Sequence, residues 1–115
     1  MRSHRHLQAW QAARDVTLGV HRYGSSNWRP ETAAAIEQLR RAALSVQLNL
    51  AEGFASGRGA RCRHHFLIAY GSAVETTDIL DLLVDLTPST VLAELAAKSR
   101  ETQALTLRLW QRSST

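Results

Sequence analysis

The sequence predicts an all-α fold, an antiparallel up-down-up-down four-helix bundle formed by one domain, residues 1–115. Apolar residues recur at three- and four-residue steps along most of the chain, as in helices that bury one face. Glycine and proline interrupt this pattern at three places, so four segments remain. The connections between the segments are short, and short connections favour antiparallel packing of neighbouring helices.

The first two segments lie on either side of the first break. Segment one is expected at about residues 5–23, and the Gly-Ser-Ser-Asn run at 24–27 is expected to end it. Segment two is expected to begin at Pro30, because proline suits the first helical turn, and to run to about Ser56. Their predicted core residues are Ala9, Ala13, Val16, Val20 and Tyr23 in segment one and Ile36, Leu39, Ala43, Val46, Leu50 and Phe54 in segment two.

The last two segments follow the Gly-Arg-Gly break at residues 57–59. Segment three is expected at about residues 61–86. Thr87 is expected to cap segment four, with Pro88 at its first position, and this helix should run to about residue 112. The predicted core residues of segment three are Phe66, Tyr70, Ala73, Thr77, Leu80 and Val84, and the three tryptophans, Trp10, Trp28 and Trp110, are interpreted as core or subunit-interface anchors.

Segments two and three each carry a second apolar strip outside the core stripe. The second strips comprise Leu44, Leu48 and Ala51 in segment two and Ile68, Ile79 and Leu86 in segment three. A helix that is apolar on more than one face needs more than one packing partner. We therefore expect one side of these helices to face the bundle and the other to face another copy of the chain.

A polar band follows segment two between its apolar faces. It comprises Gln38, Arg41, Ser45, Asn49 and Glu52. If segments two and three form a hairpin about the Gly-Arg-Gly break, Ser45 lies level with Ser72, next to Gly71, and Arg41 lies level with Glu75. This register predicts an Arg41–Glu75 ion pair across closely approaching helices. The band can fix the packing of helices or subunits, or it can hydrogen-bond a ligand.

The charge of the chain is positive and unevenly distributed. The net charge is +4, and residues 1–65 hold ten arginines against four carboxylates, whereas residues 66–115 hold four basic and six acidic residues. Arg58, Arg61, Arg63 and His64 form a cluster that predicts contact with nucleic-acid phosphates. No aromatic residue is interleaved with the cluster, so such binding should depend on the backbone and on salt. The basic half can equally dock on the acidic half of a neighbouring copy, or simply be solvated.

The sequence offers little for catalysis or for a metal. It contains no recognisable nucleophile–base–orienter set and no suitably placed carboxylate pair, so we predict that the protein is not an enzyme, and the sequence identifies no small-molecule substrate. Cys62, His64 and His65 invite a metal interpretation. However, adjacent histidines on a helix point about 100° apart, and the set does not match a closed four-ligand pattern. We therefore predict no metal site and no cofactor.

The chain shows no sign of export or of membrane insertion. No apolar run approaches the ~18 residues that a membrane helix needs, and no signal-peptide core follows the charged N-terminus. Cys62 is the only cysteine, which fits a reducing compartment. We predict a cytoplasmic protein that does not contact membranes.

Three motifs give the chain a family resemblance. The run from Gln38 to Gly53, QLRRAALSVQLNLAEG, and the run from Phe66 to Glu75, FLIAYGSAVE, resemble the bacterial four-helix bundle proteins first noted in intervening sequences of large-subunit ribosomal RNA genes. The WQAA run that begins at Trp10 is similar to the first-helix motif of that family. The likeness extends from about residue 7 to 86, and segment four matches only in helical character. Gln47 replaces a proline that the family often has, which predicts a straighter second helix.

The resemblance implies a left-handed antiparallel bundle that assembles into a ring of five. It also implies a distant relationship to the accessory protein of diversity-generating retroelements, a basic pentamer that partners a reverse transcriptase and its RNA. Two functions are therefore expected. The first is a non-catalytic, self-assembling interaction or scaffold module. The alternative is a basic accessory protein that binds RNA and a nucleic-acid enzyme.

Overall fold

The computed structural model describes residues 2–113 and contains four α-helices and a short 3-10 helix. The 3-10 helix spans His4–His6, and the α-helices are α1 (Gln8–Ser26), α2 (Ala33–Ala55), α3 (Ala60–Leu86) and α4 (Thr90–Ser113). Within residues 2–113 there is no strand, which confirms the all-α prediction. α2 packs on α1 and α3, and α4 packs on α3 and α1, as in a bundle. The molecule measures 44 × 23 × 20 Å, so its longest dimension is close to the length of its longest helix, α3.

The first helix begins later and ends later than predicted. Residues 4–6 form their own 3-10 helix, in which the Ser3 hydroxyl accepts a hydrogen bond from the Arg5 amide. Gly24 does not break the helix: α1 continues through it to Ser26. The Arg40 guanidinium packs against Gly24, where an added Cβ would lie 2.7 Å from Nη2 of Arg40. We infer that this close approach to α2 offsets the low helix propensity of glycine.

The other helix starts also differ from the prediction, each for a local reason. Pro30 does not begin α2 but occupies the second position of a β-turn that the Thr32 amide closes by donating to the Arg29 carbonyl. Thr87 ends α3 rather than capping α4, since its amide donates to the carbonyl of Leu83. Ser89 is the residue that caps α4: its hydroxyl accepts a hydrogen bond from the Leu92 amide at 3.3 Å.

The core consists of two apolar clusters along the length of the bundle. One cluster is built around Leu50 and Phe66, and the other around Leu39 and Leu80. The predicted stripes of α1 and α2 are buried, except that Tyr23 and Phe54 are half-buried. Ile79, predicted in an outer strip, is half-buried and packs on the second cluster.

The tryptophans occupy three different environments. Trp10 is buried in the first cluster, and Trp110 is half-buried beside it. Trp28 is 69% exposed in the connection between α1 and α2, so it is not a core anchor. Its proposed place at a subunit interface stays a prediction.

The four helices also bear on the prediction about membranes. None of them, over the residues that the structure describes, is both long enough and apolar enough to cross a bilayer.

Candidate functional site

The polar band of α2 forms hydrogen bonds with α3. The hydroxyls of Ser45 and Ser72 lie 2.8 Å apart, which confirms that these two serines are level. Nearer the start of α2, Gln38 Nε2 donates to Glu75 Oε2 at 2.5 Å. The band therefore connects two helices of one chain.

A histidine of α3 contacts the polar band near the end of α2. Nδ1 of His65 lies 3.0 Å from Asn49 Oδ1 and 3.3 Å from Glu52 Oε2, so one ring N–H faces two acceptors. Asn49 Nδ2 in turn donates to the Ser45 carbonyl at 2.9 Å and contacts the Ser45 hydroxyl at 3.2 Å. Sequence reasoning did not predict the Asn49–His65 contact. We refer to this set of contacts, from Gln38–Glu75 to Asn49–His65, as the polar seam.

The predicted Arg41–Glu75 ion pair is wrong. Among the described residues, Arg41 forms its ion pair with Glu37 on its own helix, at 3.7 Å, while Glu75 accepts the bond from Gln38. Glu37 lies one helical turn before Arg41, so the two side chains are neighbours on the surface of α2. Its side chain is 72% exposed.

Gly71 does not have the role that its position suggested. A Cβ added at Gly71 would meet no atom within 4 Å, so this glycine is not a point of close helix approach. The close approach occurs instead at Gly53, where an added Cβ would lie 2.6 Å from the Phe66 ring. Nothing in the sequence distinguishes these two glycines as points of close helix approach.

Large apolar side chains cover the outer side of α2 and α3. Nine large hydrophobic residues are exposed over the described part of the chain, and seven of them belong to these two helices. We call these seven the outer apolar face: Leu44, Leu48, Leu67, Ile68, Val74, Leu82 and Leu86, each 39–59% exposed. Leu44, Leu48, Ile68 and Leu86 were expected there, whereas Leu67, Val74 and Leu82 were not. The face extends along α3 for about 28 Å at 1.5 Å per residue.

The basic cluster lies where α2 turns into α3. Gly57 and Gly59 adopt φ angles of 77° and 114°, which glycine tolerates best, and they make the tight turn that carries Arg58. Arg61, Arg63 and His64 follow on the first turn of α3 and are exposed, as Arg58 is. None of the three arginines of the cluster forms an ion pair with a described residue.

An aromatic ring from another helix lies beside this cluster. The Arg63 guanidinium is 5.3 Å from the centroid of Trp110, which belongs to α4. The sequence could not show this contact, since the two residues are far apart in the chain. A similar contact forms nearby, where Arg5 lies 5.1 Å from the ring of Trp10.

Basic residues from three parts of the chain meet at this end of the bundle. Arg58 and Arg112 line one cleft of about 390 Å³, and Arg112 also lines a second cleft of about 200 Å³ with Arg108 and His6. The basic stretch at the chain start and the cluster after α2 therefore lie at the same end, together with two arginines of α4. We call this region the basic end.

The metal-binding interpretation of the histidines gains no support from their surroundings. The ring centroids of His64 and His65 lie 5.9 Å apart, and Nδ1 of His65 faces Asn49 and Glu52. Within residues 2–113, no three side chains of His, Cys, Asp or Glu are grouped so as to hold a metal ion. Cys62 is buried, and this burial raises the pKa of its thiol above the ordinary value.

Comparison with known proteins places the chain in a family. No curated protein matches it. The model of one family, described as the 23S rRNA-intervening sequence protein, matches residues 5–108, from the 3-10 helix to near the end of α4. The match includes α4, which sequence reasoning had related to the family only by its helical character. The chain belongs to the 23S rRNA-intervening sequence protein family.

Proposed function

We propose that the protein is a non-catalytic, self-assembling interaction module. In this proposal, copies associate through the outer apolar face into a closed ring of five, the number that the family resemblance implies. The supporting observation is that seven of the nine exposed large hydrophobic residues in the described chain lie on α2 and α3. Apolar surface concentrated in this way is typical of a protein–protein contact.

The proposal includes an antiparallel, up-down-up-down order of the helices. The polar seam supports it, because partners descend in α3 as residues ascend in α2: Gln38 with Glu75, Ser45 with Ser72 and Asn49 with His65. In this order the outer surface of α2 faces a different direction from the α4 side of α3. Each copy can then offer two different surfaces to two neighbours.

Two different surfaces favour a head-to-tail contact, the type of contact that closes into rings. Leu44 and Leu48 on α2 lie beside the exposed Arg41. The α4 side of α3 offers Val74 in a shallow groove that also contains Glu75 and Asp78. An apolar strip with a cation thus complements an apolar groove with carboxylates, and such complementarity guides orientation and specificity.

Catalysis is not part of the proposal. The chain has a single thiol, that of Cys62, and its raised pKa disfavours the nucleophilic thiolate. His65 is held by hydrogen-bond acceptors within the polar seam and lies among packing contacts.

The experiment that tests this proposal introduces charge at the outer apolar face. Leu44→Glu combined with Leu48→Glu should convert the oligomer to a 12.8 kDa monomer with unchanged helix content, measured by light scattering and circular dichroism. The matched control is Val91→Glu, because Val91 is 49% exposed but lies on α4, outside this face. A double variant that keeps the mass of the unmodified protein would contradict the proposal.

The basic end supports a second candidate function, binding of RNA together with a nucleic-acid enzyme. Arg58 of the α2–α3 turn, Arg108 and Arg112 of α4 and His6 near the chain start meet there, and phosphate contacts of this kind give salt-sensitive binding. Arg58/Arg61/Arg63→Ala should abolish RNA binding at moderate salt, measured by fluorescence anisotropy. The control Arg14/Arg22/Arg29→Ala removes the same charge from exposed positions of α1 and the α1–α2 connection. Equal loss in both variants would contradict a localised site.

A further inference from the structure

The larger cleft of the basic end combines an apolar floor with a charged rim. Its volume is about 390 Å³, within the range of roughly 300–1,000 Å³ that small-molecule sites occupy. Cys62, Phe66 and Leu109 form the apolar part of its lining. Cys62 and Phe66 are each only 6% exposed, so they belong to the wall of the core rather than to the open surface.

The rim of the cleft is cationic. Arg58 lies on the turn between two glycines and lines the opening, and it forms no ion pair with a described residue. Arg112, from the last turn of α4, lines the same cleft. No carboxylate is among the lining residues. Arg58 therefore offers a positive charge at the opening, and an anionic group is the one that this charge favours.

The cleft also has a fixed wall. Phe66 packs against Gly53, where any Cβ would lie 2.6 Å from the ring, and Gly53 is itself close to the Cys62 carbonyl. The Phe66 ring is thus held between α2 and α3 and does not need to move to create the space. A preformed apolar wall lowers the conformational free energy that binding must overcome.

We propose that this cleft binds a small amphiphile with one anionic head group, a carboxylate or a phosphate monoester on an apolar chain. The apolar chain contacts Phe66 and Leu109, and the head group pairs with Arg58. This site is distinct from the outer apolar face, because none of the seven residues of that face lines the cleft. It also differs from a nucleic-acid surface, because part of its lining is apolar.

The experiment uses the full chain and four eight-carbon probes that differ only in head group. Octanoate and octyl phosphate should shift the backbone amide signals of Gly57 and Gly59 in a saturable way, with a dissociation constant on the order of 1 mM for so small a ligand. Octanol and octylamine should bind at least about tenfold more weakly, because they lack the anion that pairs with arginine. Bound octanoate should also slow alkylation of Cys62, whose side chain lines the cleft.

A matched pair of variants separates the site from general anion attraction. Arg58→Gln should weaken octanoate binding about tenfold, whereas Arg22→Gln, an exposed position on α1, should leave it unchanged. Both positions are exposed, so neither substitution should unfold the protein. The proposal is overturned if octanol binds as well as octanoate, if the two variants behave alike, or if the shifts occur at Leu44 and Leu48 instead of the cleft. Absence of saturable shifts up to 10 times the expected constant would overturn it as well.

Discussion

Two leucines of α2, only two residues apart, have opposite environments. Leu50 is 0% exposed and packs with Phe66 in the core, whereas Leu48 is 48% exposed. The same contrast separates Leu39, which is 1% exposed, from Leu44, which is 40% exposed. Helix α2 therefore has an inner leucine row that the chain itself covers and an outer row that it does not cover. The fold of one chain thus buries only part of the apolar surface of this helix.

The polar seam lies between these two rows on the side facing α3. Ser45 and Ser72 share a hydrogen bond there, and Asn49 contacts His65. Polar pairs of this kind need specific partners, so they favour one register of α2 on α3 over its neighbours. The seam keeps the inner row turned to the core and, as a consequence, keeps the outer row turned to the surface.

The largest change in the free energy of unfolding is expected when the inner leucine row of α2 is compared with the outer row. Leu50→Ala should lower the free energy of unfolding by about 2–5 kcal/mol, because it leaves a cavity in the core. Leu48→Ala should change it by less than about 0.5 kcal/mol when measured at concentrations where the chain is monomeric. Urea titrations followed by circular dichroism measure both. Similar losses in the two variants would show that the rows do not differ as described.

The next largest change in stability is expected between substitutions at Gly53 and at Gly71. Gly53→Ala should destabilise the protein by about 1–3 kcal/mol, since the new Cβ would lie 2.6 Å from the Phe66 ring. Gly71→Ala should stabilise it by about 0.5–1 kcal/mol, because the position is helical and an added Cβ meets no atom within 4 Å. Thermal unfolding of the two variants is the measurement. Stabilisation by Gly53→Ala would contradict the close approach of α2 and α3.

A smaller effect tests the polar seam. Ser45→Ala should cost about 0.5–1.5 kcal/mol of unfolding free energy, because it removes the partner of the Ser72 hydroxyl. A double-mutant cycle with Ser72→Ala isolates that bond from other changes. Arg41→Ala is the control, because this side chain is 72% exposed and outside the seam. A coupling energy of zero between the two serines would show that their hydrogen bond does not set the register of α2 on α3.

The smallest effect concerns an ion pair on the exposed surface between α3 and α4. Arg100 Nη1 lies 2.8 Å from Asp81 Oδ1, with about half of each side chain exposed. Asp81→Asn should therefore lower the free energy of unfolding by no more than about 1 kcal/mol, and 0.5 M salt should remove most of the difference. A loss as large as that of Leu50→Ala would mean that surface charge, not the inner leucine row, dominates stability.

The sequence was most informative where periodicity decides the structure. The four helices, the buried stripe of α2 and the Ser45–Ser72 contact all follow from helical spacing and from one hairpin register. Sequence reasoning failed where one contact between residues far apart in the chain decides the local structure. Gly24 is helical where the Arg40 guanidinium of α2 packs against it, and Arg63 of α3 contacts Trp110 of α4. Neither contact has a local signal.

The basic end shows the same limit at a larger scale. Arg58, Arg61 and Arg63 form a visible run, but Arg108 and Arg112 of α4 reach this end only through the fold. The cleft between them has no sequence signature at all. It arises because Cys62 and Phe66 happen to lie one helical turn apart where α4 ends.

The central claim is that the outer leucine row of α2 is covered by another copy of the chain. Sedimentation equilibrium over a hundredfold range of concentration tests it most directly, because the result does not depend on any substitution. We predict a mass that is a fixed multiple of 12.8 kDa, five in the proposed ring, falling toward the single-chain value on dilution. A mass of 12.8 kDa at every concentration up to about 1 mM, the range of weak complexes, would contradict the claim.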